Sequence, residues 1–214
     1  MKNKWLVALF LGYSIMVLGG CVPKQPENIN SKGTAIICFG DSLTFGYGVE
    51  IGQDYPTLLS RILNRSVINA GVDGDTSTDA LRRLESDVLK QNPLLVIVEF
   101  GGNDFLKGVP RQDTEKNISY MIERIHARGA MVALVDISAG MLLSEYRELL
   151  WRIAKENNVI FIPQALRGII TDSRLKSDFL HPNAAGYSLI AQRIYRAIIP
   201  FLNRNRLIKS GLSR

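Results

Sequence analysis

Four short blocks along the 214-residue chain carry the residue types that an acyl-transfer site needs. Ser42 lies in Gly40-Asp41-Ser42-Leu43, directly after the apolar run Ile36-Ile37-Cys38-Phe39. A serine hydroxyl is a poor nucleophile unless a neighbouring base takes its proton and a third group orients that base. Asp178-Phe179-Leu180-His181-Pro182 offers an acid and a base three residues apart. One turn of backbone then presents both side chains on one side, so Asp178 can hold the imidazole tautomer with its free nitrogen toward Ser42. Pro182 keeps His181 out of a helix. Attack on a carbonyl also creates an oxyanion that needs donors, each worth roughly a hundred- to thousandfold in rate where measured in other hydrolases. The N–H of Ser42, a glycine N–H in Gly71-Val72-Asp73-Gly74-Asp75 and the amide of Asn103 in Gly101-Gly102-Asn103-Asp104 are the candidates.

Taken singly, each block has a plainer reading. Ser42 reads equally as a helix cap, and the glycines as strand-to-helix loops with positive φ. Asp104 reads as a loop brace, Asp75, Thr76 and Ser77 as caps of the following helix, and Asp41 and Glu99 as structural carboxyls. Of the two histidines, His126 falls beside Arg128 in a helical stretch and reads as exposed. The ordered set outweighs its parts.

The elements that must position these blocks follow from hydrophobic periodicity. Thr34 to Phe39, Ser66 to Asn69, Leu94 to Phe100, Ala130 to Asp136 and Val159 to Ile162 read as short strands, apolar or β-branched on both faces. Tyr55 to Asn64, Thr78 to Lys90, Thr114 to Arg128, Leu143 to Asn157 and Ala184 to Phe201 read as helices. Leu81, Leu84, Val88 and Leu89 form one helical stripe. Strict alternation predicts an α/β fold, a parallel sheet between two helical layers, with ligands beyond the carboxyl ends of the strands. Ser42, Gly74 and Asn103 follow the first, second and third strands as that rule requires.

From about Thr34 to about Phe201 the ordered blocks resemble the SGNH, or GDSL, hydrolase family. The resemblance places the four signature residues on Ser42, Gly74, Asn103 and His181, and makes Gly74 rather than Gly71 the oxyanion donor. It implies a three-layer α/β/α sandwich around a five-stranded sheet in flavodoxin-like order 2-1-3-4-5. Val67-Ile68-Asn69-Ala70, Gly74-Asp75-Thr76-Ser77 and Gly101 to Asp104 look like the thioesterase I, arylesterase and lysophospholipase branch, which implies hydrolysis of acyl esters and thioesters through an acyl-enzyme, without cofactor or metal. Phe45, Phe105, Leu106, Met141, Leu142 and Phe179 flank the blocks, as acyl groove or as core. The segment from Ile137 to Leu143 looks shorter than its counterpart in that branch. Two alternatives stand beside this reading. One is a carbohydrate O-deacetylase of the same family, with a polar, shallow cleft; the other is a non-catalytic binding lipoprotein, against which the complete residue set argues.

The ends of the chain carry an address. Lys2 and Lys4, an apolar run from Trp5 to Leu18 and the pair Gly19-Gly20 before Cys21 have the order of a signal peptide over residues 1–20. Leu18-Gly19-Gly20-Cys21 resembles the bacterial lipoprotein box, which implies lipidation of Cys21 and a membrane-anchored protein of the cell envelope, outside the cytoplasmic membrane or on the outer membrane of a two-membraned source. Residues 21–33 then read as a flexible linker, 34–203 as one hydrolase domain and 204–214 as a basic tail. The net charge of +6 falls to +4 without the two leader lysines, too little to argue for nucleic acid. Cys38, inside an apolar run, reads as a buried structural thiol. No metal cluster, phosphate loop or dinucleotide fingerprint is visible. The expected partners are an ester substrate and a membrane, with the protein a monomer.

Overall fold

The structure, a computed structural model, describes residues 25–138 and 144–205. Cys21 and the leader, Met141, Leu142 and the tail beyond residue 205 lie outside the described residues. Five parallel strands, β1 (Ala35–Gly40), β2 (Val67–Gly71), β3 (Pro93–Glu99), β4 (Met131–Val135) and β5 (Ile160–Ile162), pair in the order β2-β1-β3-β4-β5. This is the predicted order. The helices are α1 (Ser42–Phe45), α2 (Tyr55–Leu63), α3 (Ser77–Asp87), α4 (Gly102–Leu106), α5 (Arg111–Ala127), α6 (Ser144–Glu156) and α7 (Ala184–Leu202).

Why the central strands are apolar throughout is visible in the two cores. Ile36, Cys38, Leu95, Ile97, Met131 and Ala133 point to one side of the sheet, where α2 and α7 pack. Ile37, Phe39, Val96, Val98, Val132 and Leu134 point to the other, under α3, α5 and α6. Each such Ile, Leu, Val, Met or Phe side chain, fully buried, contributes about 1.5–3 kcal/mol relative to exposure, so the register cannot slip without expelling a whole face. Cys38 is a buried free thiol, and burial holds it protonated, far above its ordinary range.

Two helices had no periodic signal, because α1 and α4 are only four and five residues long. Each turns immediately after a strand and carries a site block. At α1 the Asp41 side chain caps the turn by accepting the Leu43 N–H at 3.1 Å. α5 begins at Arg111, three residues before the predicted start, with Pro110 at its N-cap.

The stretch expected as a free linker is largely docked. Pro26 and Ser31 are buried, the Glu27 N–H donates to the Asn158 carbonyl at 2.9 Å, and the Asn28 side chain donates to the His126 and Ala130 carbonyls at 3.0 and 3.1 Å. The Asn205 amide, in the stretch expected as a tail, is buried and donates to Ser31 O. Asparagine-rich sequence reads as solvated, but here its amides satisfy carbonyls that strand and helix ends leave open. The same docking overturns the reading of His126 as exposed. Its side chain is 9% exposed, with Nδ1 3.5 Å from Glu27, and burial lowers its pKa against the opposing pull of that carboxylate.

Beneath the carboxyl end of the sheet lies a buried polar layer. Thr44 Oγ1 donates to Glu99 Oε2 at 2.9 Å and meets the Tyr55 hydroxyl at 2.8 Å. Burial, and next the Asp41 carboxylate, push Glu99 well above the usual carboxylate range, so it keeps its proton. Asp104, fully buried, accepts from Ser77 N–H at 2.8 Å, from Ser77 Oγ and from Thr114 Oγ1 at 3.0 Å, the brace foreseen for it. A Cβ at Gly71 would lie 2.1 Å from Phe45 N and 2.5 Å from Thr44 C, so β2 must end on glycine for α1 to lie against it.

Gly71→Ala is therefore expected to cost about 1–3 kcal/mol of stability by overpacking, read as a lower urea midpoint at unchanged slope, together with lost esterase activity, since the clash is with the turn that carries Ser42. For Glu99 the sign follows from its raised pKa. The folded state holds the proton more tightly than the unfolded one, so the contribution is present below the ordinary value of about 4.3 and is lost as pH rises toward the folded value. Glu99→Gln keeps the shape of the protonated acid and should gain about 1 kcal/mol or more at pH 8 relative to pH 5 when both are compared with the parent; an identical pH dependence of stability in the two proteins would contradict this.

Candidate active site

Ser42 is the first residue of α1, so its N–H is one of those that a helix cannot satisfy internally. Its hydroxyl lies 3.1 Å from His181 Nε2, across 139 residues of sequence. On the far side of the ring, His181 Nδ1 lies 2.8 Å from Asp178 Oδ2 and 3.1 Å from Oδ1. That contact puts the ring proton on Nδ1, leaving Nε2 as an acceptor for the serine proton. Asp178 Oδ1 also accepts the Leu180 and His181 N–H groups at 2.7 and 2.8 Å. Burial raises the Asp178 pKa, but the His181 ring and these N–H groups outweigh it and hold the carboxyl below its ordinary value.

The loop bearing this pair is fixed from several sides. Ser177 N–H donates to the His181 carbonyl at 3.0 Å, and Lys176 bridges Pro182 in antiparallel fashion. Asn183 caps α7, accepting from Ala185 and Gly186, while its amide donates to the Arg174 carbonyl at 2.8 Å. Tyr47 lies against the imidazole, ring centroids 4.4 Å apart and tilted by 40°, and the Tyr187 hydroxyl donates to the Tyr47 carbonyl at 3.0 Å.

Asn103, in α4, places its amide nitrogen 3.2 Å from Asp41 Oδ2 and 3.1 Å from the Asp75 carbonyl. Both amide hydrogens thus have acceptors within the protein. Gly74 adopts φ +77°, and its carbonyl accepts from Lys107 Nζ at 2.7 Å. It does not itself line the groove; Asp73, one residue earlier, does. The Gly74 loop is pinned by Arg83, which donates to Asp75 at 2.6 Å, to the Ala70 carbonyl at 2.7 Å and to the Gly40 carbonyl at 2.9 Å while its guanidinium stacks 4.5 Å from the Phe39 ring. Neither Arg83 nor Tyr47 was found by sequence reasoning. Arg83 lies in an ordinary amphipathic helix and Tyr47 in a glycine-rich loop, and only the fold reveals what they touch.

Ser42, Asn103 and His181 open into a groove of about 320 Å³. Its apolar walls are Phe105, Leu106, Ile137, Leu166, Ile170 and Phe179. Of the residues expected to form it, Phe105, Leu106 and Phe179 are present, Phe45 is exposed but outside it, and Met141 and Leu142 lie outside the described residues. Among the described residues, no group of three or more His, Cys, Asp or Glu could hold a metal ion. A serine hydroxyl in contact with an imidazole, a helix N-terminal N–H beside it and an apolar groove are the parts that carrying an acyl group from an ester to water requires.

The chain is similar to several known proteins. The chain is 29% identical over 178 residues to the thioesterase 1/protease 1/lysophospholipase L1 of Escherichia coli strain K12, covering 79% of this chain and 86% of that one. It is 33% identical over 140 residues to the uncharacterised lipoprotein YqeF of Bacillus subtilis, covering 59% of this chain and 54% of that one. The crystal structure of the psychrotrophic esterase EstA of a Pseudoalteromonas species, inhibited by monoethylphosphonate, superimposes with a TM-score of 0.71 at 29% identity, over 79% of this chain and 99% of that one. Residues 38–189, which span all four blocks, match the GDSL-like lipase/acylhydrolase family model. With its fold, its blocks and most of its length accounted for by that match, the chain belongs to the GDSL-like lipase/acylhydrolase family and is a hydrolase of ester bonds.

Proposed function

We propose that Ser42 is the nucleophile of an acyl esterase, with His181 its general base and Asp178 the group that orients the base. The observation that carries this is the unbroken contact from Ser42 Oγ through the imidazole to Asp178, 3.1 Å on one side and 2.8 Å on the other. The Ser42 oxygen attacks the ester carbonyl as His181 Nε2 takes its proton; His181 returns that proton to the leaving alcohol as the C–O bond breaks. Water, deprotonated by the same nitrogen, then releases the acid from the acyl-serine. The developing oxyanion is met by the Ser42 N–H, the Asn103 amide and, in this reading, the Gly74 N–H. Asn103 serves by turning one hydrogen from the neutral Asp75 carbonyl to the charged oxygen.

The groove supports acyl chains rather than sugars, because its walls are hydrocarbon and aromatic. At about 320 Å³ it stands at the low end of ligand pockets, which span about 300–1,000 Å³. The substrate is therefore a single-chain ester of short to medium acyl length, of the lysophospholipid, aryl ester or thioester kind. For location, the Leu18-Gly19-Gly20-Cys21 box supports a lipid on Cys21, placing the domain outside the cytoplasmic membrane. In a two-membraned source Val22, not being aspartate, directs it to the outer membrane.

Ser42→Ala is expected to remove fluorophosphonate labelling and lower kcat by a factor of about 10⁴ or more with folding intact. Asp178→Asn should lose less than His181→Ala, since the base survives. Undiminished labelling of the alanine variant moves the nucleophile elsewhere.

Chain length separates the substrate classes. Each methylene that enters the groove adds about 0.8 kcal/mol of transition-state binding, about fourfold in kcat/KM. A p-nitrophenyl ester series should climb from acetyl to medium chains and then stop. A maximum at acetyl, with acetylated sugars preferred, would replace the acyl-esterase reading with the deacetylase one.

A further inference from the structure

The chain enters the domain on the face opposite the groove. Pro26 is buried there, and the bonds that follow it reach the Asn158, His126, Ala130 and Asn92 carbonyls. Asn158, Ala130 and Asn92 stand just before β5, β4 and β3, at the amino ends of the strands, whereas Ser42 and Asn103 follow the carboxyl ends of β1 and β3. β3 alone, with seven residues, spans about 23 Å. Only Val22, Pro23, Lys24 and Gln25 separate Cys21 from Pro26, which gives the tether a reach of at most about 18 Å fully extended. A bilayer held at Cys21 is thus nearer the underside than the height of the sheet. The domain can tilt on such a tether but cannot turn its groove downward.

The charge on that underside points the same way. In a parallel α/β fold the helices run back against the strands, so their carboxyl ends gather on this face. They bring Arg65, Lys90, Arg128, Lys155 and Arg204 to it, all exposed, and the docked N-terminal stretch adds exposed Lys32. Glu27, Glu85 and Glu156 are exposed there too, and Glu85 pairs with Arg128 at 3.3 Å. Basic residues suit helix carboxyl ends, yet the excess remains, on the face nearest the anchor. Anionic headgroups attract such a patch within a Debye length.

We propose that lipidated Cys21 holds this basic underside on the bilayer with the groove facing away, so that the enzyme takes single-chain esters arriving from the aqueous side, not lipids of the leaflet that anchors it. This rests on the esterase and anchor readings above.

The test uses the full chain, produced in a lipoprotein-processing bacterium and reconstituted into phosphatidylcholine–phosphatidylglycerol vesicles. Cys38 is buried, so one surface thiol can be introduced and dye-labelled, either by Lys90→Cys on the underside or by Phe179→Cys at the groove rim. Energy transfer to headgroup acceptor lipids should be several-fold stronger from position 90 than from position 179. Hydrolysis of a water-borne medium-chain p-nitrophenyl ester should stay within about twofold on passing from detergent to vesicles. Equal or stronger transfer from position 179, or a tenfold fall in that rate on reconstitution, overturns the orientation. A mature N-terminus whose mass shows Cys21 unmodified overturns the anchor and the orientation together while leaving the esterase intact; absence of ester hydrolysis in detergent defeats the esterase reading instead.

Discussion

The carboxylate of Asp41 is bonded to two halves of the site at once. Oδ1 accepts the Leu43 N–H and so closes the turn that presents Ser42; Oδ2 accepts the Asn103 amide, which arrives on a different strand–helix junction 62 residues later. Nothing else among the described residues joins the Ser42 turn to the Asn103 amide so directly. The group is buried, and burial raises its pKa despite the Leu43 N–H that it accepts. A buried carboxylate is tolerated only where such donors surround it. Those of Asp41 are the Leu43 N–H and the Asn103 amide. Glu99, Thr44 and Tyr55 form a bonded layer beneath the turn, in which Glu99 accepts the Asp41 N–H. That layer fits because Gly40 and Gly71 carry no Cβ to push α1 off the ends of β1 and β2. The site thus rests on a polar layer inserted between two apolar cores.

That layering explains which features could be read in advance. Continuous apolar runs at Ile36 to Phe39 and Leu94 to Val98 have one physical solution, a strand covered on both faces, so sheet and helices were legible to within a few residues. The meeting of Ser42, His181 and Asp178 was legible because acyl-transfer chemistry demands particular residue types in order. Asn28, His126 and Asn205 were misread for the opposite reason. Polar side chains in a glycine- and asparagine-rich stretch satisfy water or buried carbonyls equally well, and only the folded surface decides between them. Arg83 and Tyr47 lay beyond sequence reasoning altogether, since an arginine that bonds β1 and β2 through the Gly40 and Ala70 carbonyls looks like any other on a helix surface.

The parallel topology also divides labour between the two ends of the sheet. Strand carboxyl ends and helix amino ends meet at the groove, which therefore collects free N–H donors such as that of Ser42. Helix carboxyl ends meet at the underside and collect lysine and arginine for electrostatic reasons. On the proposed orientation, a substrate whose reaction develops negative charge and a negatively charged bilayer accordingly meet opposite faces. Neither assignment needs a dedicated motif.

Asn103 shows how such a site can favour the transition state over the bound substrate. Its two amide hydrogens are held by Asp41 and by the Asp75 carbonyl, at distances of 3.2 and 3.1 Å that are long for strong bonds. A neutral ester carbonyl offers no better acceptor than Asp75 does, so ground-state binding gains little from displacing it. An oxyanion does, since hydrogen bonds to charged acceptors are roughly twice as strong as neutral ones. On the proposed mechanism the amide therefore changes partner only as charge develops, and its full contribution falls on kcat rather than on substrate affinity.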